Sequence, residues 1–223
     1  MKLHIFTMVL LCVLLSGCGS RPEQTAESVP VETKAEETLA AAVIRPLPDT
    51  TMTALENSIL NVSFGKNDVY RDESGKRFLR MQIYSYEKFD LVDISGLKAG
   101  DTILLSGEEI SVNAVVRNGS GTVLVNGGLD EGGFDLWTDD SGIYFEHGYS
   151  DMKAWFPVGD AEFVVSDTFV FHDSADLELG TVVYDAEDLM NAVAESLFGY
   201  QPQNTTVRIE NGQVAEMNRI YTP

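Results

Sequence analysis

The 223-residue chain carries 15 basic and 35 acidic side chains, a formal net charge of −20, and 44% of its residues are hydrophobic. A field of that sign repels nucleic acid, whose protein partners gain much of their affinity from Lys and Arg neutralising phosphates, and it repels anionic lipid headgroups as well. Two cysteines and three histidines leave little room for disulfide, thiol or zinc chemistry.

In chain order, Lys2 precedes an apolar run, Ile5 to Leu15, of eleven residues. That length suits a signal-peptide core and falls short of the ~20 residues that span a bilayer. Leu15-Ser16-Gly17-Cys18 follows. Ser16 and Gly17 are small enough to enter a peptidase cleft in extended form, and Cys18 supplies a thiol. The stretch resembles the lipobox of bacterial lipoproteins. The resemblance covers residues 1–18 and implies that 1–17 are a signal peptide, that Cys18 is lipidated, and that it becomes the mature N-terminus. Two acyl chains on one cysteine would hold durably, since each buried CH₂ contributes ~0.8 kcal/mol and a single chain is marginal. The expected location is the extracytoplasmic face of the cell membrane. Loss of residues 1–17, which hold one basic and no acidic side chain, takes the net charge from −20 to −21. Cys12 leaves with the leader, so no free thiol remains for a nucleophile, a thiolate metal site or a cluster.

Residues 18–48 read as a tether. Pro22, Pro30, Pro46 and Pro48 punctuate Glu, Thr, Ser and Ala, with few large apolar residues to offset the entropy of ordering. A coil of ~30 residues spans roughly 30 Å. Thr33-Lys34-Ala35-Glu36 has the form of a capping box for a short helix, and Leu39–Ile44 is the part that could pack on the domain.

From Asp49 to Pro223 the pattern is short apolar runs broken by Gly, Asn and Asp, which predicts strands and turns. The expected strands are Ser58–Phe64, Phe78–Tyr86, Thr102–Leu105, Ile110–Val116, Thr122–Asn126, Phe134–Thr138, Ile143–His147, Met152–Phe156, Ala161–Val165 and Thr168–Phe171. Leu91–Leu97 predicts one helical turn. The three runs between Thr102 and Asn126 suggest a meander or small barrel. Ala186–Phe198 predicts a helix, with Asp185 as its cap, Leu189, Val193 and Leu197 as its apolar stripe, and Gly199 as its stop. Thr205–Glu210 and Gln213–Tyr221 flank Asn211-Gly212, a strong hairpin signal. The fold class expected is mainly β: one antiparallel domain, barrel-like or sandwich-like, with a single C-terminal-region helix at about 186–198. The run from Tyr84 to Thr102, the Asn126-Gly127-Gly128 turn and the closing Asn-Gly hairpin resemble uncharacterised lipoproteins of Gram-positive bacterial envelopes. That resemblance implies a location and brings no activity or site with it.

Catalytic signatures are sparse. His147 and His172 show no paired metal spacing, and the sequence has no Gly-x-Ser-x-Gly elbow, no P-loop and no Gly-x-Gly-x-x-Gly opening a helix. Carboxylates are in surplus, at Asp130/Glu131/Asp135, Asp139/Asp140 and Asp173/Asp176/Glu178. Asp130, Asp135, Asp139 and Asp140 are candidate ligands for calcium, which takes six to eight oxygens; the competing reading is solvated turns, where Asp bonds its own backbone. A carboxylate-dependent hydrolase needs a pair of acids held ~5–9 Å apart. Aromatics cluster between Phe134 and Phe156. Because Tyr144 must face opposite to Ile143 and Phe145, one aromatic is expected to look outward. Trp137, Tyr144 and Trp155 are therefore candidates for a ligand-binding face. The expected function is a lipid-anchored, non-catalytic binding domain whose partner is a protein, glycan or cation. The alternatives are a secreted hydrolase and a structural envelope component. No cofactor is expected unless calcium is one.

Overall fold

The computed structural model describes residues 40–148 and 153–222. Cys18, the leader and most of the tether lie outside them. The elements in order are β1 (Val43–Ile44), β2 (Ser58–Ser63), β3 (Val69–Arg71), β4 (Arg77–Ser85), β5 (Lys88–Phe89), α1 (Leu91–Gly96), β6 (Thr102–Leu105), β7 (Glu108–Ser111), β8 (Val115–Arg117), β9 (Val123–Val125), β10 (Phe134–Thr138), β11 (Tyr144–His147), β12 (Phe156–Ser174), β13 (Val182–Asp185), α2 (Leu189–Glu195), β14 (Thr205–Glu210) and β15 (Gln213–Ile220). The domain is mainly β, as its alternating sequence predicts.

Five strands close on themselves in the order β2–β4–β12–β15–β14 and back to β2. Every neighbouring pair is antiparallel except β12 and β15, which are parallel. Closure follows from β12. Its first half pairs with β4, from Phe156↔Ser85 to Val164↔Phe78, and from Val164 onward it pairs with β15 along the other edge. Ala161–Val165 and Thr168–Phe171, two strands by sequence, are thus one 19-residue strand. The polar Ser166-Asp167 between them marks an irregularity, where β12 runs from Val165 to Val170 while β15 advances only from Val214 to Glu216. The extra residues bend β12, as bulges do. Inside the ring lie Leu60, Val62, Leu79, Met81, Ile83, Val165, Phe171, Val207, Ile209 and Met217, taken from alternate positions of the strands. The last hairpin turns through Asn211 (φ +50°) and Gly212 (φ +72°), the paired left-handed residues that its Asn-Gly sequence favours.

Residues 86–155 leave the barrel between β4 and β12 and build a second core. Two small sheets, β1–β6–β7 and β5–β11–β10–β9–β8, bury Ile44, Phe89, Ile94, Leu97, Ile103, Leu105, Val123, Val125, Leu136 and Tyr144. The runs between Thr102 and Asn126 therefore do not make one meander. Ile110–Val116 divides at Val112–Ala114 into β7 and β8, which belong to different sheets. Arg117 fastens α1 in place, its guanidinium donating to the carbonyls of Ile94, Ser95 and Leu97 at 2.9, 3.1 and 2.5 Å. Tyr86 and Trp155, the residues flanking the excursion, meet edge-on at 5.1 Å, and the Lys153 ammonium lies 4.0 Å from the Tyr86 ring centroid.

The predicted helix is shorter than expected. Asp185 accepts from the amides of Glu187 and Asp188 at 2.8 and 3.1 Å, so it caps a turn, and α2 proper begins at Leu189. Leu189 and Val193 are buried, but Ser196 turns extended and throws Leu197 out of the stripe.

The domain also begins earlier than the tether boundary at residue 48. Val43 and Ile44 pair with Thr102 and Ile103, and Ile44 is buried. Asp101, only 2% exposed, holds this segment by accepting from the amides of Ala42 (2.9 Å) and Lys98 (3.0 Å). The Ala42 bond above all keeps its carboxyl below the usual range. A depressed pKa gives stability that is present at neutral pH and lost as pH falls through the folded-state value. Asp101→Ala is expected to cost about 1–3 kcal/mol by stranding two donors. In hydrogen-exchange measurements the amides of residues 42–44 should exchange at least tenfold faster while Ile83 and Val207 in the barrel keep their protection. Equal acceleration of both sets would show that the two cores open together.

Candidate functional site

The acids singled out by sequence are held by turns. Asp135 is half-buried and accepts from the Leu129 amide at 3.0 Å. Gly128 lets the chain pass that carboxylate, since a Cβ there would sit 2.5 Å from its oxygen. Asp139 accepts from the Ser141 hydroxyl (2.5 Å) and from the amides of Ser141 and Ile143. The Ser141 hydroxyl chiefly holds its pKa below the ordinary value. Asp130 and Asp140 are exposed. Among the described residues no three His, Cys, Asp or Glu side chains converge as they would around a metal ion. Of the four, Asp139 bonds the backbone of its own turn.

The aromatic candidates do not share a face. In the β10–β11 pair, Trp137 lies opposite Phe145 and Thr138 opposite Tyr144. Tyr144 points into the second core and is buried. Phe145, on the other face, is buried too, beneath Tyr86 at 5.7 Å. The strand alternates as its parity requires, but both faces are covered, so neither aromatic looks outward. Trp137 is 36% exposed and stacks on His147 with ring centroids 3.7 Å apart. Trp155 is half-buried at the junction of the two cores, with Tyr86 and Lys153 against it. Tyr149 lies outside the described residues.

One hairpin tip of the second core gathers acids for a physical reason. Ser106 (φ +51°) and Gly107 (φ +80°) form the two-residue turn between β6 and β7. The Ser106 amide donates to Glu87 at 2.8 Å and its hydroxyl to Glu146 at 3.3 Å. Burial pushes the Glu146 carboxyl above its ordinary value; the Ser106 hydroxyl opposes the rise and the Glu87 charge adds to it.

A concave groove of about 540 Å³ is lined by residues between Asp173 and Arg219. The loop after β12, the face of β13 bearing Val182 and Tyr184, α2, and the segment after α2 build its walls. Its floor is Arg219, 2% exposed. The guanidinium donates from Nε to Asp173 at 2.9 Å and from Nη2 to the second oxygen of the same carboxylate. Nη1 donates to the Ser196 hydroxyl (2.8 Å) and the Phe198 carbonyl (2.9 Å). The Tyr200 ring lies 4.2 Å beneath it. Arg219 therefore ties the loop that ends α2 to strands β12 and β15. Three large apolar side chains on its rim are exposed: Leu179 is 70% accessible, Leu197 93% and Phe198 42%. Asp176, Asp188 and Glu195 stand among them and form no ion pair within the described residues.

Sequence reasoning passed over this groove because Leu197 belongs to the apolar stripe of a longer helix and Asp173/Asp176/Glu178 belongs to solvated turns. The signal was Leu177 and Leu179 set among those acids, apolar residues in a stretch with no strand to bury them. Comparison of the chain with protein-family models, with curated proteins and with solved structures finds no match to any of them.

The Glu146 environment yields a pH test. A raised carboxyl pKa favours the neutral form in the fold, so the stability it contributes is present below the unfolded value, ~4.3, and lost as pH rises through the folded one. Glu146→Gln removes the charge and keeps an acceptor for Ser106. The variant is expected to melt higher than the parent at pH 7 and to lose that advantage below about pH 4. An unchanged difference across that range would mean that charge burial is not its source.

Proposed function

We propose that this chain is a lipid-anchored, non-catalytic interaction domain of the cell surface, and that the groove between β13 and α2 is its contact surface. Cys18 carries the lipid, and the residues before Ala40 act as a spacer. The bilayer attachment rests on the lipobox-like sequence; no helix among the described residues is long and apolar enough to cross a membrane.

The observation that carries the binding role is the contrast between the rim and the floor of the groove. Arg219, the one basic group lining it among the described residues, is engaged by Asp173, Ser196 and Phe198. The rim meanwhile exposes three large apolar side chains at one place. Full burial of such a side chain contributes about 1.5–3 kcal/mol, so a partner that covers them gains affinity without dismantling the polar floor. The lining is mixed, with Leu179, Val182, Leu197 and Phe198 set among Asp176, Asp188, Asn191 and Glu195. Trp137 offers a second exposed aromatic, but only one, stacked on its own histidine.

Both halves of the proposal are testable. Cys18→Ala is expected to move the chain from the membrane fraction to the supernatant in detergent-free buffer; retention with membranes would remove the lipid anchor. A photo-crosslinking residue at position 197 is expected to give a discrete adduct on intact cells, whereas the same residue at exposed position 140 gives none. Equal labelling from the two positions would show that the groove is not a preferred contact surface.

A further inference from the structure

The reading of the groove as a contact surface can be carried to the chemistry of its occupant. The groove combines two features that must be matched together. Its apolar rim is Leu179, Leu197 and Phe198. Its charged rim is Asp176, Asp188 and Glu195, and the only basic residue lining it among the described residues is already spent on Asp173. Glu195 adds to an existing negative potential. It closes α2, whose last turn holds no basic residue, and helix carbonyls point out of that end. Lys66 answers one of them, donating to the Ala194 carbonyl at 2.7 Å. Among the described residues that line the groove, the acids Asp176, Asp188 and Glu195 thus outnumber the one basic group, Arg219, which pairs with Asp173.

A second copy of the chain is a poor occupant. Each copy has a formal net charge of −20, and a twofold contact would set the same acidic rim against itself. An anionic polymer or lipid headgroup meets the same repulsion. The complementary ligand is cationic and apolar at once.

Resting on the contact-surface reading, we infer that the groove takes a basic amphipathic peptide segment of a partner protein. Its apolar side chains seat against Leu179, Leu197 and Phe198, and its lysines or arginines stand opposite Asp176, Asp188 and Glu195. Rim charges of this kind raise the association rate and select partners, while the covered apolar side chains hold the complex.

The test is a fluorescence-anisotropy titration of the purified full chain with three labelled twelve-residue peptides: one of Leu and Lys at helical spacing, one with Glu replacing Lys, and one with Ser replacing Leu. The Leu/Lys peptide is expected to bind saturably, at least tenfold tighter than either of the others. Asp188→Lys with Glu195→Lys should weaken it tenfold or more, and Leu197→Asp should do the same. Asp139→Lys with Asp140→Lys, an equal change of charge on the β10–β11 turn, should leave it unchanged. Equal weakening by the two charge-reversal pairs would overturn the inference, because the peptide would then be held by net charge alone. Tighter binding of the Leu/Glu peptide, abolished by Leu197→Asp, would overturn the cationic occupant while leaving the groove a contact surface. Absence of saturable binding by the Leu/Lys peptide would overturn the occupant, and crosslinking from position 197 would still decide the groove.

Discussion

The fold depends on one long strand making two different partnerships. β12 joins β4 along its first half and β15 along its second, and the bend at Ser166-Asp167 carries it from one to the other. Without that bend the strands would form an open sheet with two long edges, a template for unwanted pairing. With it, β2, β4, β12, β15 and β14 close, and one set of alternate side chains faces a common interior. Closure also fixes where the remaining pieces go. β13 extends the free edge of β12 beyond β4, and α2 packs Leu189 and Val193 on the barrel's apolar contents.

The second core hangs from the same two strands. The chain leaves after Ser85 and returns at Phe156, residues that are cross-strand partners in the β4–β12 pair. The 70-residue excursion therefore starts and ends at one place, a cheap topology because its loop closure is already made by the barrel. Its strands are short, three to five residues for the most part, and side chains do much of the fastening. Asp101 ties down the amides of Ala42 and Lys98, Arg117 gathers the carbonyls at the end of α1, and Asn126 bonds Asn113 and Ser111. Each pairs backbone groups that short ladders leave unsatisfied. The Lys153 ammonium between Tyr86, Phe145 and Trp155 joins the excursion to its base.

The acidic residues stand in three settings. Asp72, Asp90, Asp139 and Asp185 spend their oxygens on amides of their own turns. Asp173 and Glu216 spend theirs on arginines. Asp176, which also accepts from the Glu178 amide at 2.8 Å, stands with Asp188 and Glu195 around the groove, where on the proposed reading they set the sign of its partner. Arg219 makes this possible indirectly, since it pins the segment after α2 in the position that exposes Leu197 and Phe198.

What the sequence determined by itself was local. Strict alternation in Arg77–Ser85, the Asn211-Gly212 turn, and the apolar runs Thr102–Leu105 and Phe134–Thr138 specify strands because a two-residue period or a left-handed pair admits little else. The mainly β class and the single C-terminal-region helix followed from those signals. Tertiary structure decided the rest. Ser166-Asp167 separates two expected strands and becomes a bend within one, because β12 is paired on both sides of it. Val43-Ile44 reads as tether and becomes a strand, because β6 offers an edge and one Asp101 oxygen accepts from the Ala42 amide. Tyr144 and Phe145 alternate as predicted, yet both are buried, because parity says which way a side chain points and not what covers it. The groove was not legible for a related reason. It joins residues from Asp173 to Arg219, and only closure of the barrel brings those positions together.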